Sequence, residues 1–554
     1  MSNRRQFLSG AFAAGAGAAV WPLGARLGHD RAMAQALPLG VAFDAAPFTL
    51  GVASGDPTPE SVILWTRLAP EPLTGGGPLP ELVEVDYVIA EDPRLRRVVK
   101  RGTSAATAAM GHSLHVDATG LEPGRTYWYR FAALGAVSRI GRTRTAPVTG
   151  VERLRFAYVS CQDFQNGSYA AYRNLVQEDI DFVVHLGDYI YEYAGDEGAY
   201  RQHTGDEVNS LESYRNRYAL YRGDLSLRAC HAAFPFIVTW DDHEFDNNYA
   251  NLIPENDDGP GQESPEAFSQ RRANAYQGYY EHMPIRLTEA GPPDGPDYRI
   301  YRRLQFGDLL DMSVLDLRQY RTDQPCTVPG RDQEMFIIAR CQGQDDPAQT
   351  IMGPDQEQWL KDNLSGSGAA WRVIAQQLMI GQLNSLSSSA VPGAPGEQLF
   401  FNSDQWDGYI AERNELLTYI AEREIPDVFV ITGDIHSHWV HDLKTDFDDP
   451  DAPVVGTEFV GTSITSGGFE VIPDPGPEAS RRNFYVQNPH LRYFEGTMKG
   501  YAIVEVTQDS VTNTFKTVAD HEDPYSPIST LAVFRQQRGN PLSEQLEGGD
   551  GNPR

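Results

Sequence analysis

Asp181-Phe182-Val183-Val184-His185-Leu186-Gly187-Asp188-Tyr189-Ile190-Tyr191 runs from a short apolar segment through a glycine into a carboxylate and a phenol. An apolar run without polar alternation reads as a strand buried on both faces, inside a sheet that other elements cover. Ligands of such sheets gather outside the carboxyl ends of the strands, so chemistry is expected just after Leu186.

The same pattern recurs along the chain. Leu154 to Ser160 is a strand that runs into Cys161-Gln162-Asp163, and Phe234 to Trp240 runs into Asp241-Asp242-His243-Glu244. Asp427 to Thr432 runs into Gly433-Asp434-Ile435-His436-Ser437-His438, and further strands read over Leu309 to Leu315 and Trp371 to Ala375. Helices alternate with them: Tyr169 to Asp179, and a second begun by Ser264 and Pro265 that turns Phe268, Ala275 and Tyr279 inward. This is an α/β pattern, a mixed-sheet sandwich flanked by helices. Taken singly, a strand-end thiol, a capping carboxylate or His243 reads as structure. Together, four strand ends carrying metal-type ligands read as a metal site.

Upstream the pattern is strand and turn only: Val62 to Thr66, Val83 to Ile89, Leu114 to Val116 and Tyr127 to Phe131. Period-two alternation here predicts an N-terminal immunoglobulin- or fibronectin-like β-sandwich, and Leu121 to Tyr127 resembles the tyrosine corner of such domains. Asn3-Arg4-Arg5-Gln6-Phe7-Leu8, the weakly apolar Ala11 to Val20 and Ala32-Met33-Ala34 have the layout of a twin-arginine export signal with a cleavage site. The expected organisation is therefore a signal peptide over 1–34, a β-sandwich over 35–147, a catalytic domain over 148–540 closing with a hairpin over Lys499 to Val518, and a polar tail over 541–554. The expected destination is periplasmic or secreted, with the twin-arginine translocase as the export partner.

The chain has 554 residues, 41% hydrophobic and 22% charged, enough to bury a sizeable core and too long for one domain. Its formal net charge of −30 repels a phosphate backbone, which argues against nucleic-acid binding by a basic surface. No run approaches the roughly eighteen apolar residues that span a bilayer, so no stable membrane insertion is expected, and a monomer is. Of four cysteines, Cys326 and Cys341 lie in one turn-rich stretch and read as a disulfide; Cys230 reads as a buried small hydrophobe.

Gly187-Asp188-x-x-Tyr191, Asp242-His243-Glu244 and Gly433-Asp434-x-His436 resemble the motif series of the calcineurin-like metallophosphoesterases, in the variant form of the alkaline phosphatase D (PhoD) family. Gly51-Val52-Ala53-Ser54-Gly55-Asp56-Pro57 and Leu64-Trp65-Thr66-Arg67 resemble that family's N-terminal domain. The resemblance implies one Fe(III) with Ca(II) neighbours. Thiolate, phenolate and imidazole suit iron, so Cys161, Tyr191 and His436 are expected to hold it with Asp188. Carboxylates suit calcium, so Asp242 and Asp434 are expected to hold Ca(II), with Asp188 bridging. The wider superfamily often has asparagine at the position of Asp242 and histidine at that of Asp434, and both departures here harden the second site. Gln376 and Gln377 close a strand that elsewhere ends in a further histidine ligand; neither they nor His438 receive a role.

The expected reaction is hydrolysis of a small-molecule phosphoester, monoester and diester, by metal-hydroxide attack on phosphorus in line. His243 is placed to protonate the leaving alkoxide or to bind a phosphate oxygen. The rival enzyme reading is a phospholipase D-type phosphodiesterase on the same site, and the rival from another class is a secreted calcium-binding adhesion protein. The thiol and phenol donors speak against the latter.

Overall fold

The computed structural model describes residues 38–255, 263–287, 298–325, 337–339, 342–387, 398–469 and 477–549. The export signal, Cys326 and Cys341 lie outside the described residues. Two large sheets organise the rest. The ten-stranded one runs, in spatial order, Ser543–Gly548, Ile528–Gln537, Ser510–Val518, Gly500–Thr507, Arg153–Val159, Phe182–His185, Pro235–Val238, Val52–Gly55, Ile63–Arg67 and Ser113–Asp117. The seven-stranded one runs Arg302–Phe306, Leu310–Val314, Trp371–Gln376, Val428–Thr432, Val454–Val460, His438–Lys444 and Leu491–Glu495.

Strand alternation explains why the central segments read as continuous apolar runs. Phe156 and Tyr158, Phe182 and Val184, and Ile237 share one core with Met312, Val373, Phe429 and Phe459 of the seven-stranded sheet. Their neighbours Ala157 and Val159, Val183, and Phe236 and Val238 face the opposite way, into a core with the helices Leu211–Arg222, Leu225–Ala233 and Pro265–His282. On the far side of the other sheet, Ile374, Val428 and Val430 pack on Pro354–Gly366 and Ile410–Glu422. The layers are thus helices, sheet, sheet, helices, a mixed α/β architecture with helices outside. Ser264 caps its helix as expected, accepting from the Ala267 amide with Pro265 in the first turn, and Cys230 is a fully buried member of the helix-facing core. The helix at Tyr169 is shorter than expected, spanning Ala170–Leu175.

Within each sheet the strands that matter run parallel. Arg153–Val159 pairs in parallel with Phe182–His185, and that strand with Pro235–Val238. Leu310–Val314, Trp371–Gln376 and Val428–Thr432 are likewise parallel neighbours. Parallel strands deliver their carboxyl ends to one edge, so the loops after six strands converge.

Two expectations change. Residues 48–145 are strands and turns, and the Glu122 amide donates to the Tyr127 hydroxyl at 2.9 Å, the hydrogen bond of a tyrosine corner. Yet Val52–Gly55, Ile63–Arg67 and Ser113–Asp117 are not in a sheet of their own. They extend the ten-stranded sheet through the parallel pairing of Val52–Gly55 with Pro235–Val238. Leu82–Ala90, Val98–Thr107, Thr126–Ala133, Ala136–Val137 and Gly141–Arg144 form the facing five-stranded sheet. The core of this region, Val52, Leu64 and Val116 against Val85, Tyr129 and Phe131, is therefore roofed by a sheet shared with the catalytic part. The second change is at the end of the chain. The expected tail contains Ser543–Gly548, an antiparallel edge strand paired with Ile528–Gln537, so the sheet continues past the expected closing hairpin. Its exposed Glu544 and Glu547 suit an edge that must not recruit another strand, and they hide it from hydrophobic patterning.

Candidate metal centre

Three of the turns that end these strands share one backbone device. Cys161, Asp188, Asp434 and His436 all lie in the left-handed region, at φ 57°, 57°, 61° and 56°. Non-glycine residues rarely adopt it, at a cost of about 1–3 kcal/mol each when the surroundings enforce it. Four of the six residues expected to hold metal carry that strain. Gly187, at φ 110°, makes the approach possible: a Cβ there would lie 2.4 Å from that of Asp241.

All the expected ligands come together. One ligand atom each of Cys161, Asp188 and His436 lie within 4.8 Å of one another. The same holds for Asp188, Asp242 and His243, and for Asp241, Asp242 and Asp434. The three groups form a chain joined through Asp188 and then Asp242. Tyr191 joins the first group, its hydroxyl donating to Asp188 Oδ2 at 2.9 Å and lying 3.4 Å from His436 Nε2 and 2.6 Å from Ser466 Oγ. His436 Nδ1 is 2.6 Å from the Gly467 carbonyl, so it carries the proton and leaves the Nε2 lone pair toward the cluster.

Several residues without an expected role hold this arrangement. Glu244 accepts from the amides of Asp188, Tyr189 and Asp241 at 3.0, 2.7 and 2.8 Å, tying two strand-end loops together. Glu192 accepts at 2.8 Å from His243 Nδ1 and at 3.0 Å from the Asn247 amide. Glu192 already receives the Asn247 amide and takes the His243 Nδ1 proton as a second donor, so Nδ1 is committed to Glu192 and Nε2 is the nitrogen left for the site. The His243 ring stacks on Tyr191 at 4.0 Å between centroids. Asp242 Oδ2 receives the Asn248 amide at 2.7 Å, and Asp434 Oδ2 receives Gln405 Nε2 at 2.5 Å. Asp241, a neighbour of an expected ligand, belongs to the third group itself. The fully buried Arg318 faces Asp241, Asp242, Asp404 and Asp434 at once.

Gln376 and Gln377 stand apart from these groups. The Gln377 amide bridges Thr239 Oγ1, the Trp240 carbonyl and the Leu315 carbonyl, at 2.8, 2.6 and 3.1 Å, bracing strand ends. Gln376 donates to the Leu378 carbonyl at 2.7 Å and accepts from Trp406 Nε1 at 3.1 Å. His438 is buried beside Phe515, and burial lowers it to about 3.

The electrostatics fit bound cations. Burial, followed by the charges of Asp188 and Asp434, pushes the Cys161 thiol far up; burial, then Asp188 and Cys161, does the same to the Tyr191 phenol. Burial raises Asp434 to about 6 despite Arg318, and raises Glu244 to about 8. Burial lowers His243, but Glu192, Asp188 and Asp242 outweigh it and hold the imidazole well above its ordinary value. Asp188 Oδ1 and Asp242 Oδ1 are buried without a hydrogen-bond partner. Asp188 Oδ1, in one group with the Cys161 thiol and the His436 imidazole, and Asp242 Oδ1, in the carboxylate group, are donors that a transition metal and a hard cation would complete.

Comparison with known proteins agrees. Residues 156–515 match the family described as PhoD-like phosphatase, and residues 32–147 match its N-terminal domain. Alkaline phosphatase D of Bacillus subtilis (strain 168) is 43% identical over 506 residues, covering 90% of this chain and 82% of that protein. A solved structure of PhoD is similar with a TM-score of 0.83 at 41% identity, covering 92% of this chain and 94% of that one. With its strand-end cluster inside the matched span, the chain belongs to the PhoD-like phosphatase family of phosphoric ester hydrolases.

Proposed function

We propose that the chain hydrolyses phosphomonoesters, and phosphodiesters with them, at the cluster centred on Asp188. In this reading Cys161, Tyr191 and His436 hold Fe(III) together with Asp188, and Asp242 and Asp434 hold Ca(II). The observation that carries it is the run of three ligand groups sharing Asp188 and Asp242, with soft donors at one end and only carboxylates at the other. When bound, the cations supply Lewis acidity and an activated water. The chain's own residues do the rest. Asp188 spans the two ligand sets. Gly467, through His436 Nδ1, keeps that imidazole in the liganding tautomer. Glu192 accepts from His243 Nδ1 and favours the cationic ring, whose Nε2–H is then the proton offered to the leaving oxygen as acid or anchor.

The core shared by the two large sheets supports a calcineurin-like sandwich for the catalytic part. The corner at Tyr127 supports an immunoglobulin-like kinship for the N-terminal region. Metal analysis of protein purified without chelator, read with its visible spectrum, tests the assignment. Iron, calcium and a visible charge-transfer band from the phenolate or thiolate are expected. Colourless, iron-free and fully active protein overturns the ligand set. Comparable turnover of nitrophenyl phosphate and bis-nitrophenyl phosphate is expected of one site serving both ester classes.

The Arg4-Arg5 pair supports twin-arginine export to the periplasm or beyond. Replacing both by lysine keeps the charge and is expected to leave the precursor in the cytoplasm, seen by fractionation. Normal export of that variant removes the assignment.

A further inference from the structure

We propose that Arg318 is a permanent cation built into the floor of the carboxylate end of the cluster, there to hold the ligand carboxylates in place whether or not a metal is bound. The inference rests on the metal reading above and adds a residue with no part in that reading.

Arg318 follows the strand Leu310–Val314, and its side chain is 0% exposed, so it cannot reach a substrate. Each of its nitrogens is committed to a different strand-end loop. Nε donates to Asp241, Nη1 to both oxygens of Asp404 at 3.0 and 2.8 Å, and Nη2 to Asp434 Oδ1 at 3.0 Å. Nη2 also lies 3.4 Å from Asp242 Oδ1. Arg321 braces the outer member of the set, donating to Asp404 Oδ1 at 2.8 Å, and Gln324 adds a bond to the same oxygen at 2.8 Å. Thus the carboxylates of Asp241, Asp242, Asp404 and Asp434 are opposed by two guanidinium groups, which leaves the set anionic.

Buried like charges at these separations repel strongly, and a pair broken from one side leaves the other charge uncompensated. The loops after Pro235–Val238 and Val428–Thr432 both bond to Gln377, but those bonds are uncharged, and before a metal ion arrives Arg318 is the cation that opposes their carboxylates. Those loops belong to different sheets, and Arg318, from a third loop, bonds to both. The planar fork is what permits this: three nitrogens in fixed directions match three carboxylates, which a lysine ammonium cannot do with the same geometry. Arg318 is therefore a positioning residue for the metal ligands Asp242 and Asp434. It shares with the bound cation the work of neutralising them.

The test compares the rise in melting temperature on adding calcium chloride to chelator-treated protein, at one scan rate, for the parent chain and its variants. Arg318→Gln is expected to lower the metal-free melting temperature by about 5 °C. It should also at least double the calcium-induced rise, because calcium then supplies the missing charge. Arg318→Lys should fall between parent and glutamine variant. Asp404→Asn, which relieves the set of one negative charge outside the ligand groups, should show a smaller rise than the parent. An equal rise in parent and Arg318→Gln overturns the proposal. If Arg318→Gln does not fold, the Asp404→Asn rise decides: smaller supports the proposal, equal or larger overturns it. No calcium response in the parent, with no metal bound, overturns the metal reading beneath it instead.

Discussion

Asp188→Asn is expected to cost more activity than any other single ligand substitution, and to lower the content of both metals. An outer-shell partner of a metal ligand typically costs about 10–100-fold when removed, and a carboxylate shared by two ligand groups should exceed that range. The residue is a clean probe for a backbone reason. Its φ of 57° is one that asparagine tolerates, so the substitution removes charge without forcing the turn after Gly187 to move. What is lost is the charge and one of two carboxylate oxygens: Oδ2, which receives Tyr191, or the buried, partnerless Oδ1. The measurement is kcat/KM together with iron and calcium per chain. A variant that keeps most of its activity and both metals removes Asp188 from the centre of the site.

His243→Ala should separate substrates by the basicity of their leaving groups. General acid assistance is worth roughly 10²–10⁴-fold when the departing oxygen needs a proton, and little when it leaves as a stable anion. An alkyl phosphate is therefore expected to slow by that factor, and a nitrophenyl phosphate far less. Glu192→Gln, which keeps a partner for Nδ1 but removes its charge, should show the same substrate dependence at smaller amplitude. Equal losses on both substrates would assign His243 to phosphate binding, where energy is lost uniformly. Unchanged rates with metals retained would leave it a structural ring stacked on Tyr191.

The candidate metal ligands were legible because each sits at a place the chain announces. An apolar run stops, and a residue type that a strand interior would not tolerate follows: Cys161, Asp188, Asp242, Asp434. Nothing comparable announces Arg318. Its stretch, Leu317-Arg318-Gln319, resembles any other loop, and its meaning depends on carboxylates brought in from three other segments. Glu244 stands inside a quoted motif and Glu192 just past another, but a carboxylate accepting backbone amides and one binding a cation look alike in sequence. Sheet membership was hidden for a related reason. Val52–Gly55 carries a strand pattern, yet whether it pairs with its own neighbours or with Pro235–Val238 is fixed by partners far along the chain. The edge strand Ser543–Gly548 was missed because only Ser543 in it is buried.

The parallel pairing of Val52–Gly55 with Pro235–Val238 bears on how such a protein can be cut, fused or inherited. The strand that carries Asp241 and Asp242 at its end is an interior strand only because the N-terminal segment lies against it. Asp56, just past that segment, forms a buried bidentate pair with Arg302 of the other large sheet. A chain begun at residue 148 would thus expose a raw row of amides and carbonyls on the strand that leads into Asp241 and Asp242. The N-terminal region is not cargo that a designer can exchange or that evolution can shuffle freely. It meets the strand that ends in Asp241 and Asp242 through a shared row of hydrogen bonds, and the second sheet through Asp56.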